Sequence, residues 1–182
     1  MTGQPAITTK TFCFNLGTDA DPLRFDVVLF QDGDQVYAKI IVHDGYADFN
    51  ALFFGDGTQG NSAFNGFTGK DSSLNLNGAQ GSLLNGRPVE WDGAIKLSPA
   101  GLGTLGADKL TFLGAGDYQI FKLDGITSLD QIDVLGVRAT STSPPDGSIK
   151  AIGDCLHDKD APGDAVKAPL HDDPPDDEPP AD

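Results

Sequence analysis

Glutamate is almost missing from this chain. Of its 27 acidic residues only Glu90 and Glu178 are Glu, and the other 25 are Asp. Glu is a good helix former, whereas Asp favours turns, caps and hard-cation sites. The imbalance argues against a helical protein. Bases are also few, and 12 Lys and Arg leave a formal charge of −15. A surface this acidic repels nucleic acid and anionic membrane, so no nucleic-acid partner is expected. No apolar run approaches the roughly 18 residues of a membrane helix, so no membrane insertion is expected. The opening stretch "MTGQPAITTKTF" has no charged-then-apolar secretory leader. Cysteine is limited to Cys13 and Cys155, which flank nearly the whole expected core. Oxidised together they would close a loop of about 140 residues; the other reading is two free, partly buried thiols.

What the chain does have is period-two alternation broken by turn residues. In "QVYAKIIV" (35–42) Val36, Ala38, Ile40 and Val42 share one face, and Tyr37, Lys39 and Ile41 the other. "RFDVVLF" (24–30) sets Phe25, Val27 and Leu29 on one face. Asp-Gly between these runs is a strong hairpin signature. "ITTKTFCFNL" (7–16) puts Phe12 and Phe14 together, and "FNALFF" (49–54) is a fourth strand. Weaker strand patterns occupy "SSLNLNG" (72–78) and "PVEWDGAIKL" (88–97). "KLTFL", "DYQIFKL", "DVLGVRATST" and "GSIKAIG" complete the set, and "SLDQIDVLG" (128–136) opens as one helical turn capped by Ser128. The 23 glycines suit short strands joined by turns. The expected fold is all-β: an antiparallel β-sandwich of the jelly-roll or immunoglobulin-like kind, spanning residues 1–153. Residues 55–87, rich in Gly, Asn and Ser but dotted with Phe64, Phe67, Leu74 and Leu76, are expected to cross one end of it. Residues 154–182 carry ten acids against two lysines and read as an acidic, Pro-rich tail.

The chemistry-bearing residues are weighed against simpler roles. Asp-x-Asp spacing can aim two carboxylates at a calcium ion, which takes six to eight oxygens. The candidate ligands are Asp19, Asp21, Asp32, Asp34 and Asp56, and calcium is the candidate cofactor. Asp32 and Asp34 also suit a hairpin turn with no metal at all. Glu90 and Asp92, alternate residues of "VEWDG", have the spacing of paired carboxylates on a strand face. Trp91 and Tyr46 are candidates for stacking on sugar rings, with core filling the competing role for Trp91. Neither G-x-S-x-G nor H-E-x-x-H occurs. No catalytic residues are assigned, and a non-enzymatic protein is expected. A sandwich also has edge strands that accept another chain, so residues 7–16 either join their own sheet or are donated to a neighbour.

"FNALFFGDG" followed by "GITSLDQIDVLGVRATSTSPPDGSIKAIG" resembles a β-sandwich module of bacterial type I-secreted (RTX-like) and surface-sorted extracellular proteins. The resemblance covers roughly residues 22–153. It implies a secreted, extracellular, non-catalytic role at the cell surface or in a matrix. The chain departs from larger members of that group in lacking tandem G-G-x-G-x-D repeats and a hydrophobic sorting helix after the core. The expected function is therefore a surface or extracellular-matrix protein acting by protein–protein interaction or self-assembly. The alternative is a calcium-dependent carbohydrate-binding module with a glycan partner.

Overall fold

A computed structural model describes residues 8–57, 66–76, 83–84, 87–98, 109–153 and 155–157. The alternating runs form twelve strands: β1 Thr9–Gly17, β2 Pro22–Asp32, β3 Gln35–Asp44, β4 Tyr46–Gly55, β5 Leu83–Leu84, β6 Arg87–Pro88, β7 Gly93–Lys96, β8 Phe112–Gly114, β9 Tyr118–Leu123, β10 Val134–Thr140, β11 Ser148–Ile152 and β12 Cys155–His157. Ten of them build two facing sheets, one in the order β12-β1-β2-β3-β9 and the other β11-β10-β4-β7 with β8 also beside β4, and β5 pairs with β6 in a separate two-stranded sheet. Every pairing is antiparallel. Two antiparallel sheets with almost no helix match the all-β sandwich expected from the sequence.

The slab between the sheets follows the alternation. Phe12, Phe14, Phe25, Val27, Leu29, Val36, Ala38, Ile40 and Val42 all point into it and are buried. Phe14 stacks on Phe25 at 4.5 Å, and Phe25 meets Phe49 edge-on at 4.9 Å, which links the two sheets through three rings. Burial of each such ring is worth about 1.5–3 kcal/mol.

β4 behaves differently, because it is buried on both faces along almost its whole length. A second apolar cluster covers its outer side: Ala51, Phe53, Leu74, Leu76, Val89, Trp91 and Val134. The cover comes from the Gly/Asn-rich excursion, and here one expectation needs correction. Residues Gly69–Leu74 form a 3-10 helix, not a strand. Leu74 and Leu76 drop onto β4 and β10 from it, so the apolar residues are used without period-two alternation. Gly136 of β10 lets this cover lie close. A Cβ there would stand 2.5 Å from Leu76 Cδ1 and 2.7 Å from Trp91 Cη2. The expected strand at 88–97 is likewise shorter, with only Gly93–Lys96 in regular pairing to β4.

Two short features arrive as the sequence suggests. Ser128 caps a 3-10 turn at Leu129–Gln131, with Gln131 returning a bond to the cap in a full capping box. Residues 7–16 were given two expected destinations, and the described part of them, β1, pairs with β2 of its own chain from Thr9 to Gly17. The chain crosses from β11 back to the first sheet, and β12 adds three residues beside β1. The acidic stretch beyond 157 and positions 58–65 and 77–82 lie outside the described residues. Among the described residues no helix is long and apolar enough to cross a membrane.

Candidate functional site

The outer face of the first sheet gathers polar side chains beside a recess. β1 contributes Cys13 and Asn15, β2 Arg24 and Asp26, and β3 His43, around a recess of about 260 Å³ floored by Phe14 and Phe25. Alternation alone aims the odd residues of β1 and the even residues of β2 outward. A bulge between Arg24 and Phe25 shifts the β2–β3 register, and beside it His43 and Asp26 are diagonal cross-strand neighbours. His43 Nε2 lies 2.9 Å from Asp26 Oδ2, so a protonated Nε2 donates to the carboxylate. Arg24 pairs with Asp44. Each charge in the recess therefore has an opposite partner, and both pairs are partly exposed. Exposed pairs of this kind contribute little, about 0–1 kcal/mol.

Cys13 is disulfide-bonded. Its Cα stands directly opposite that of Cys155, the other cysteine of the chain. Antiparallel neighbours at this position have the Cα separation a disulfide requires.

The expected calcium ligands are spread over separate corners. Asp19 and Asp21 are exposed in the β1–β2 turn, where the Thr18 N–H donates to Asp21 O and the Asp21 N–H to Thr18 Oγ1, both at 3.3 Å. Asp32 and Asp34 flank Gly33 in a two-residue hairpin; Gly33, at the first loop position, has φ +59°. That positive φ is what the turn demands, and it is cheap only for Gly. Asp56 is exposed elsewhere, and its N–H donates to Asp92 Oδ2 at 2.9 Å. Among the described residues no group of three or more His, Cys, Asp and Glu gathers to hold a metal ion.

The sugar-stacking expectation for Trp91 is corrected. Trp91 is 5% exposed, and its ring packs edge-on to Phe53 in the cover over β4. A ring sealed on both faces cannot meet a saccharide. Tyr46 is half-buried, with its ring tilted against Phe112 at 5.9 Å. It lies in β4, in a different layer from the exposed Tyr118 on β9. Glu90 and Asp92 are both exposed but stand outside any strand longer than a single bridge. The Asp92 carboxylate already accepts from the Asp56 backbone, so the carboxylate pairing expected from spacing is replaced by a loop-closing bond.

Two sets of residues carry weight that the sequence did not disclose. Asp48 sits in mid-strand and is fully buried. It accepts from Thr111 Oγ1 at 2.7 Å and from Lys109 Nζ at 3.3 Å. On the first sheet's outer face, Phe30 stacks on Tyr37 at 5.3 Å, and the Lys39 ammonium lies 4.2 Å over the Tyr118 ring. Alternation places Tyr37 and Lys39 on the outer face, yet nothing in the spacing shows that they meet Phe30 and Tyr118 across strands. Compared with known proteins, the chain matches no family model, no curated protein and no solved structure.

Proposed function

We propose that this chain is a non-enzymatic, secreted surface or extracellular-matrix protein that works by association with other protein subunits or with itself. One observation carries the reading. The first sheet ends in an incompletely covered strand, since β12 pairs with β1 only from Thr11 to Cys13. Among the described residues the rest of β1 has no strand on that side. An open edge presents unpaired backbone donors and acceptors, which is a template for strand addition. The outer face beside it adds half-buried Val28, Phe30, Tyr37, Ile41 and Ile120, a surface of mixed apolar and aromatic character.

A further feature favours the same reading. A bonded Cys13 suits an oxidising compartment, as expected for an extracellular protein. Two crossings support a jelly-roll-like wrapping: β3 to β4 and β9 to β10 pass between sheets while β3 lies beside β9 and β4 beside β10.

Sedimentation of the full chain over a range of concentrations, with its disulfide intact and after reduction, tests this function. Reversible, concentration-dependent mass, or capture of a defined protein from the source organism's surface, is the expected result. Turnover of a glycan or peptide that is lost in Glu90→Gln contradicts it.

A further inference from the structure

The edge of β1 has properties that go beyond general openness. Its nine residues, Thr9–Gly17, contain no carboxylate in a chain that has 27 acids. Cys13 is the fifth of the nine, at the midpoint of the strand. β12 covers that midpoint through three residue pairs, with Cys13 opposite Cys155. The segment just before β12 is held independently, since the Gly153 N–H donates to Leu135 O of the second sheet at 3.0 Å. β12 can therefore leave without unpinning β11.

We propose that β1 is a self-pairing edge under a disulfide clasp: opening the Cys13 disulfide releases β12, and β1 of a second copy takes its place with Cys13 opposite Cys13. The proposal rests on the association reading above and names its partner and its control.

The register is fixed by symmetry. A two-fold axis through Cys13 sets Phe12 against Phe14, Thr11 against Asn15, Lys10 against Leu16 and Thr9 against Gly17. Phe12 and Phe14 both face the core, so the inner faces of the two sheets stay in phase. Thr11 and Asn15 both face outward. No like charges meet, because Lys10 stands opposite Leu16. The interface is isologous, and it closes as a dimer and not as a fibre. The β1 backbone groups that β12 covered are satisfied again by the second copy.

The chemistry balances. A dithiol reductant supplies two electrons, the disulfide of Cys13 breaks to two thiols, and the reductant leaves as its cyclic disulfide. The recess beside Cys13, lined by Asn15, Arg24, Asp26 and His43, gives a small dithiol access from the outer face. In the dimer a small disulfide such as oxidised glutathione takes two electrons from two Cys13 thiols. One Cys13–Cys13 bond forms and two glutathione thiols leave.

The test uses the full chain at about 0.15 M salt, where the Debye length of ~8 Å limits repulsion between two acidic copies. Light scattering gives the mass, hydrogen exchange reads the amides of residues 9–17, and thiol alkylation confirms the redox state. The oxidised chain is expected to be a monomer. Reduced protein and Cys155→Ser are both expected to double in mass with the 9–17 amides still protected. Oxidised glutathione is expected to convert Cys155→Ser to a covalent dimer containing a Cys13–Cys13 peptide. The double variant Cys13→Ser with Cys155→Ser is expected to dimerise without a covalent bond, which separates strand pairing from cross-linking. Fully reduced protein and Cys155→Ser that both stay monomeric overturn the proposal. So does a dimer in which the 9–17 amides exchange freely. If the oxidised chain associates as strongly as the reduced one, the clasp is wrong while the association function stands. If no form associates and none captures a partner, that function fails as well.

Discussion

At the scale of single residues, carboxylates in this chain divide by where they sit along the strands. Among the described residues, Asp21, Asp34 and Asp117 close turns at the surface. Asp48 does not, and its burial makes it the carboxylate on which the fold depends most directly. Replacing it by Ala leaves the Lys109 ammonium and the Thr111 hydroxyl without their partner. Asp48→Ala is expected to cost about 2–4 kcal/mol in urea denaturation, in the range for breaking a buried charged pair. The double change Asp19→Asn with Asp21→Asn removes exposed turn carboxylates and is expected to stay within about 0.5 kcal/mol. Equal losses for the two would mean that burial is not what distinguishes them. A second contrast is the Trp91 Nε1 and the Asn50 Oδ1, which are buried with no hydrogen-bond partner among the described residues. A buried polar group left unsatisfied costs about 1–3 kcal/mol.

At the scale of elements, what the sequence discloses depends on whether a strand is buried on one face or two. β3 is legible residue by residue, because Val36, Ala38, Ile40 and Val42 alternate with outward Tyr37, Lys39 and Ile41. β4 is legible as a strand but not in orientation, since apolar residues fill both faces and alternation disappears. The 3-10 segment at Gly69–Leu74 is misread as a strand because Leu74 and Leu76 are two apart, while tertiary contact with Trp91 and Phe53 sets their conformation. His43 and Asp26 meet as diagonal cross-strand neighbours beside a one-residue bulge, a contact that no periodicity encodes. Two predictions belong here. Gly136→Val pushes a branched side chain into Leu76 and Trp91 and is expected to cost about 1–3 kcal/mol, with Trp fluorescence shifting as the indole is displaced. An unchanged denaturation midpoint and spectrum would show that the cover is loose. Lys150 stands opposite Arg138, and burial, followed by the Arg138 charge, pulls its pKa below the usual 10.5. The unfolded chain then binds more protons than the folded one just below that value, so this group makes stability rise with pH toward it. Lys150→Met is expected to flatten that rise in paired denaturation curves as the pH approaches the ordinary lysine range. A steeper rise in the variant contradicts that sign.

At the scale of the whole molecule, three rings and one covalent link hold the two sheets and the returning end of the chain together. Phe14, Phe25 and Phe49 span the slab. Lys10 of β1 ties the first sheet to the start of β10 through Ile132 O at 2.9 Å and Asp133 Oδ1 at 3.0 Å. The Cys13 disulfide constrains nearly the full chain, and closing a loop of about 140 residues stabilises by ~4–5 kcal/mol in the chain-entropy treatment. Reduction under native conditions is therefore expected to lower the urea midpoint without abolishing the two-sheet core, and far-ultraviolet dichroism should stay strand-like throughout. Loss of the strand spectrum on reduction would place the core under the control of the disulfide. The proposed function and its clasp depend together on an extracellular location and on a β1 edge closed by β12 through Cys13. Non-reducing peptide mass mapping of the protein recovered from the medium of its source organism tests this most directly. A peptide containing Cys13 joined to one containing Cys155, found in the extracellular fraction, is the predicted result. Two alkylatable thiols on a protein confined to the cell interior would contradict it.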